Sequence, residues 1–329
     1  MMQAIPMLRT LGAIVVVLLL LFAVPMVIEA SQRLDLYYTL TSVALLAIAS
    51  AGVWLTFYIG RINIGQGAYA LMGGYVSAIL VTRYGVPFWW TVPLAGLFCA
   101  LASVLIGLPI LRLRGVYFAM VTLVLTEVVR LLALALPITN GAKGIVSLPL
   151  PGALNLGGFT LIPDFASLAN PRQGFYIASV TLMILCYAAL YRIVHSRIGR
   201  LCQSLQQNEE LASSIGVNIA SLRVLAYAIS SFLGGLGGAM FAAVSQSIYP
   251  SSFAVTDSVN FMLNCFLGGL GYVFGPIVGT FVLYFGWDVL FSTGKWQLLI
   301  FSSALIALML FLPNGLLSMR WPAARGRHD

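Results

Sequence analysis

Long apolar runs with brief polar punctuation fill almost the whole chain, and a single polar stretch interrupts them. The runs fall at about 11–28, 36–59, 63–81, 88–111, 116–136, 175–194, 224–244 and 259–270, then one that starts after a turn at 271–276 and ends near 290, and a last one at 298–312. A helix of about 20 apolar residues crosses roughly 30 Å of hydrocarbon, so the pattern predicts up to ten spans. The eighth, at about a dozen residues, is short for a crossing and predicts a half-span or re-entrant segment, which protein must bury. Arg9 ahead of the first run has the look of a signal peptide. The run exceeds the usual hydrophobic core of about 7–15 residues and no A-x-A-like site follows it, so an uncleaved first span is expected. Residues 137–174 form the longest break among the runs, rich in Pro, Gly and Asn, and read as a turn-rich external segment.

The polar stretch is HSRIGRLCQSLQQNEELASSIGVNIASLR, residues 195–223. Its pattern predicts one short helix over about 203–215. Leu205, Ala212 and Ile215 are apolar among Gln, Asn, Glu and Ser, and Leu211 or Ala212 shares a face with Ile215. Gly216 supplies a helix stop. Two uses are open for such an element: lying on the lipid surface, or docking into a groove of a soluble partner. Three arginines (Arg197, Arg200, Arg223) against Glu209 and Glu210 leave a net charge of +1. That is weakly basic for a lipid anchor and favours docking.

Composition narrows the class. The chain has 329 residues, 60% hydrophobic and 8% charged, where soluble domains carry about 25% charged residues. A water-soluble fold is therefore not expected. The net charge of +8 does not point to nucleic acid, because the basic residues stand singly at the ends of apolar runs instead of clustering with aromatics. They act better as topology signals. With ten spans, eleven basic residues fall on the side of the termini and of the polar loop (Arg9, Arg61, Arg112, Arg114, Arg192, Arg197, Arg200, Arg223, Arg320, Arg325, Arg327). Five fall on the other (Arg33, Arg83, Lys143, Arg172, Lys295), and Arg130 is intramembrane. Both termini are expected in the cytoplasm. Cys99, Cys186, Cys202 and Cys265 form no CxxC pair and read as small hydrophobes, with neither a disulfide framework nor a metal site.

Few residues inside the spans carry chemistry. Gln66 either makes an interhelical hydrogen bond or lines a path for solute. Glu127 and Arg130 share one helical face, and ionisable groups at this depth are costly unless paired. Together they read either as a buried pair fixing helix packing or as a gate or pathway element. Gly234, Gly235 and Gly238, in SSFLGGLGGAM, form a small-residue packing seam. No G-K-[ST] follows GGLGG, so it is not a nucleotide loop. The chain has no Walker A, HExxH, nucleophile elbow or dinucleotide fingerprint, and His195 and His328 read as solvated. No catalytic residues are assigned. A membrane protein without chemistry of its own reads as a conduit, driven by an ion gradient or by a partner. Two glycine-rich stretches, 65–74 and 234–239, occupy loosely comparable places but demonstrate no inverted repeat, and no filter-like repeat supports a channel.

Five stretches in order resemble one family: NIGQGAYALMGGY at 63–75, GLPILRLRGVYFAMVTLVLTEVVR at 107–130, ITNGAKGI at 138–145, SRIGRLCQSLQQNEELASSIGVN at 196–218 and LGGLGYVFGPIVG at 267–279. Together they resemble the M-type inner-membrane permease subunits of ABC importers for branched-chain amino acids. The resemblance implies an all-α polytopic membrane protein of about 8–10 transmembrane helices with a type II-like importer fold, one permease domain over 1–329. It implies a bacterial inner-membrane location. It also implies a second, H-type permease, two cytoplasmic ATPase subunits that use the ATP, and a periplasmic solute-binding protein. No cofactor would be bound directly. The loop 195–223 would hold the coupling helix, with Gln206, Asn208, Glu209, Ala212, Ile215 and Gly216 meeting the ATPase. One departure is LQQNEE, where the family often carries Arg–Glu; this bears on the choice of ATPase and leaves the helix in place. Relatives of this architecture carry urea, short amides or other amino acids, so those solutes stay open. An ion-coupled secondary transporter is the competing class, with Glu127 as its one clear ion-binding candidate.

Overall fold

In the computed structural model the described residues are 17, 19–113, 115–156, 159–168, 170–214, 216–289, 296–312 and 315–318. A π-helical turn, Leu19–Ala23, leads into α1 (Val24–Ala30). Then follow α2 (Asp35–Tyr58), α3 (Gln66–Tyr84), α4 (Phe88–Ile110), α5 (Val116–Ala135) and α6 (Pro171–His195). The polar stretch forms α7 (Arg197–Gln207) and α8 (Glu209–Ser214), and α9 (Ile219–Val244), α10 (Val255–Gly268), α11 (Gly275–Val289) and α12 (Gln297–Phe311) complete the described helices. By length and composition α2, α4, α5, α6 and α9 can cross a membrane.

Hydropathy locates these helices, but local hydrogen bonding sets where they start. The third run was expected from 63. Asn63 Oδ1 instead accepts from the Gly65 amide at 2.9 Å, and helix begins only at Gln66. It then continues through polar Thr82 and Arg83 to a left-handed Gly85. The seventh run was expected from 224, yet α9 starts at Ile219 because Asn218 Oδ1 accepts from the Ser221 amide. The single helix expected over 203–215 is two helices. Asn208 is extended (φ −158°, ψ 111°) and breaks it.

α9 is the central element, packed against α2, α3 and α4. Its glycines make that possible. A Cβ on Gly238 would run into the backbone of Ala70 on α3. One on Gly235 would come within 2.8 Å of Cys99 Sγ and 3.0 Å of the Ala95 carbonyl on α4. Where lipid gives helices no hydrophobic reason to associate, close backbone approach supplies the dispersion energy instead.

α10 has 14 residues, short for a full crossing. Ser258, near its start, sits beside Thr126, midway along α5, at 3.2 Å. Just beyond its far end, the Leu270 carbonyl accepts from Trp54 Nε1 near the C-terminus of α2 at 2.9 Å. α2, α11, α3 and α5 surround it, so its short length leaves little backbone to lipid.

The turn-rich segment 137–174 also holds strands. β1 (Ile145–Val146) pairs antiparallel with β4 (Ser247–Ile248), Ile145 opposite Ile248. β2 (Leu154–Leu156) pairs with β3 (Phe159–Ile162). At two to four residues they are too short for alternation to reveal them. They mark one end of the bundle; α7 and α8 mark the other.

Candidate functional site

The α7–α8 unit is built onto the bundle by specific contacts. α7 turns Gly199, Cys202 and Leu205 inward. Its Gln206 Cα stands 3.5 Å from where a Cβ on Gly60 would be, so α7 rests on the α2–α3 turn. Burial pushes the Cys202 thiol pKa up, which makes it a packing group instead of a reactive one. Asn208 then restarts the helix: its Oδ1 accepts from the Glu210 and Leu211 amides at 3.0 and 3.1 Å, as an N-cap does. Gly216, at φ +82°, terminates the unit, and the Val217 amide returns to the Ala212 carbonyl at 3.2 Å.

The cap also sets which face looks outward, and here two sequence expectations, for Ala212 and Glu209, are corrected. Ala212 was assigned to the partner face. It is 2% exposed and points into the bundle, while Leu211 is 65% exposed. The helix phase restarts at Asn208, and one residue is about 100° around a helix. Glu209 is also turned inward: Glu209 Oε1 lies 2.5 Å from Arg223 Nη2 on the first turns of α9. Gln206 and Glu210 are exposed. Ile215, expected beside Ala212, lies outside the described residues, as do Arg9, Arg114, Lys295, Arg320, Arg325 and Arg327.

A buried polar network crosses the bundle where α3 begins. Gln66 is fully buried. Its Nε2 donates to the Ser230 carbonyl at 2.9 Å, and Ser230 Oγ donates back to Gln66 Oε1 at 3.1 Å. Tyr69 Oη and Tyr227 Oη pair at 3.1 Å one turn along each helix. The Gly67 amide donates to Ser258 Oγ at 2.9 Å, Ser258 meets Thr126, and the Ile64 amide donates to Thr122 Oγ1 at 3.1 Å. Of the two readings of Gln66, the bonds to Ser230 on α9 fit the interhelical one. Gly234 faces the same group: its Cβ would lie 2.8 Å from Gln66 Nε2.

Glu127 and Arg130 form a two-pronged ion pair, Arg130 Nε to Glu127 Oε2 at 2.9 Å and Nη2 to Oε1 at 2.5 Å. The pair is not buried within the protomer. Its side chains are 40% and 28% exposed, on the face of α5 that also carries exposed Val124, Val128 and Leu131. Both partners belong to one helix, so the pair cannot pin α5 to another helix of this chain. Among the described residues no group of three or more His, Cys, Asp or Glu could hold a metal ion.

Sequence reasoning missed Leu211 as the outward residue, the Glu209–Arg223 pair, and the partners Ser230, Ser258 and Thr126. The Ser230–Ser231 pair inside an apolar run was the available signal, since a hydroxyl there seeks a partner helix.

The family described as branched-chain amino acid transport system / permease component matches residues 36–313. The chain is 31% identical over 276 residues to the high-affinity branched-chain amino acid transport system permease protein LivM of Escherichia coli K12, covering 80% of this chain and 65% of that one. It thus spans just under two thirds of that relative. It is 21% identical over 291 residues to the probable branched-chain amino acid transport permease protein LivH of Methanocaldococcus jannaschii, covering 84% of this chain and 90% of that one. It is 23% identical over 292 residues to the ribose import permease protein RbsC of Escherichia coli K12, covering 85% of each. No solved structure gives a significant match. With a polytopic helical bundle and a family match over most of its length, the chain belongs to the branched-chain amino acid transport system permease component family.

Proposed function

We propose that this chain is one membrane-spanning half of an ATP-driven importer for branched-chain amino acids, working with a second permease, two ATPase subunits and a solute-binding protein. The observation that carries the reading is α8. It is capped at Asn208, tied inward through Glu209 and Ala212, and presents Leu211 outward. A short helix fixed to the bundle on one side, with Leu211 exposed among Glu210, Ser213 and Ser214 on the other, suits docking into a groove of a soluble protein. The end of the bundle carrying α7 and α8 is then cytoplasmic, which agrees with the excess of arginines assigned to that side. The Glu127–Arg130 face of α5 turns toward the second permease or the path between the two halves, because half-exposed charges do not suit lipid. This chain binds no nucleotide; its partners hydrolyse the ATP.

The names of the LivM and LivH relatives support branched-chain amino acids as solute, and that of the ribose relative indicates that related permeases serve other solutes. Ion coupling needs a carboxylate available to a cation. Both oxygens of Glu127 are engaged by Arg130, which disfavours that mechanism.

The test is uptake into proteoliposomes holding both permeases and the ATPases, with binding protein added outside. Leucine accumulation that requires ATP inside is expected, with urea and ribose excluded. Accumulation driven by an ion gradient, without the ATPases, would overturn the reading.

A further inference from the structure

The Glu209–Arg223 pair joins α8 to the helix at the centre of the bundle. Arg223 is 9% exposed, and its Nη2 lies 2.5 Å from Glu209 Oε1. Among the described residues its buried Nε has no hydrogen-bond partner. Such a guanidinium, largely out of water, depends heavily on the one carboxylate. Arg223 also heads a stripe along α9 at helical spacing: Tyr227, Ser230 and Gly234 follow. Tyr227 bonds Tyr69, Ser230 bonds Gln66, and Gly234 packs on both α3 residues. From α3 the Gly67 amide reaches Ser258, which meets Thr126, next to Glu127 on α5. The Tyr227–Tyr69, Ser230–Gln66, Gly67–Ser258 and Ser258–Thr126 bonds each join two different helices, and such hydrogen bonds are directional where apolar packing is not.

We propose that Glu209 and Arg223 are positioning residues that transmit movement of α8 to α9: the carboxylate braces the docking helix from inside and is not a contact for the ATPase. The proposal rests on the reading of α8 as the docking element. It departs from sequence reasoning, which placed Glu209 on the partner face. Because Gln66, Ser258 and Thr126 continue from α9, the face of α5 carrying Glu127 and Arg130 is where the movement would arrive.

The informative variant is Glu209→Met with Arg223→Met. Replacing both members of a buried pair by apolar groups is generally neutral or stabilising, whereas removing one strands the other. In the reconstituted complex the double variant is expected to assemble and to hydrolyse ATP within about twofold of the unaltered complex, while leucine uptake per ATP falls at least tenfold. The single variant Glu209→Met is expected to melt lower. If the pair only stabilises the fold, the double variant restores uptake together with stability, and the brace is wrong. If Glu209 contacts the ATPase, both variants lose the ATPase subunits on purification, which also overturns it. Hydrogen exchange on the purified subunit tests the brace independently of transport. Amides of residues 209–214 should exchange several-fold faster in the double variant, and unchanged exchange would contradict the brace even if the complex proved not to be an importer.

Discussion

Gln66 on α3 and Ser230 on α9 are bound to each other twice, amide to carbonyl at 2.9 Å and hydroxyl to amide oxygen at 3.1 Å, with neither side chain exposed. The arrangement places a buried, mutually bonded polar lock at the break where α3 begins. Gln66→Leu keeps the volume but strands Ser230 Oγ, at a cost of roughly 1–3 kcal/mol. Ser230→Ala keeps the carbonyl that Gln66 Nε2 uses and should cost less. Thermal melting of the purified subunit should rank unaltered protein above Ser230→Ala above Gln66→Leu. The reverse order of the two variants would contradict the lock.

Gly238 meets the Ala70 backbone so closely that any side chain forces α3 and α9 apart. Gly238→Ala should therefore destabilise by about 1–3 kcal/mol, the usual range for overpacking. At Gly286 the nearest atom to an added Cβ is Phe301 Cε2 at 3.9 Å, so Gly286→Ala should be tolerated. Folded yield and melting temperature of the two variants separate a packing seam from a general intolerance of substitution.

The Glu127–Arg130 pair lies outside the packing of its own protomer, which changes what its loss should do. Glu127→Gln leaves Arg130 without its anion on the exposed face of α5. The expected result is a several-fold loss of complex with the second permease on size exclusion, with little change in melting of the subunit alone. Glu127→Gln together with Arg130→Met should recover assembly. A single variant that assembles normally but does not transport would assign the pair to the solute path instead.

Asn208 separates α7 from α8 and caps the second helix. Asn208→Ala should lose about 1 kcal/mol of cap energy, concentrated in a helix of six residues. Faster exchange of the amides in α8, with α9 unchanged, is the signature expected.

How much of this was legible in the sequence follows from range. The apolar runs at 88–111 and 116–136 sit within a residue of α4 and α5, because burial in lipid acts on whole segments. The stop at Gly216 was legible because a glycine after a polar helix suits a left-handed residue. The phase of α8 was not, since one side chain bond at Asn208 decides whether residue 211 or 212 faces out. Nor was the Glu209–Arg223 pair, which closes only after the chain has turned from α8 into α9. Gln66 carried a signal without a partner: a buried amide implies an acceptor, but which helix supplies it is a matter of packing. The short length of α10 was readable, and the bonds from Gly67 to Ser258 and from Trp54 to Leu270 just beyond its end were not.

In the proposed importer an ATPase moves this subunit through the outward face of α8. Leu211→Asp changes that face without replacing a buried side chain, Leu211 being 65% exposed. In the reconstituted importer the variant subunit should remain in the membrane and pair with the second permease, while ATP-driven leucine uptake falls at least tenfold. Uptake at the level of the unaltered complex would contradict the account.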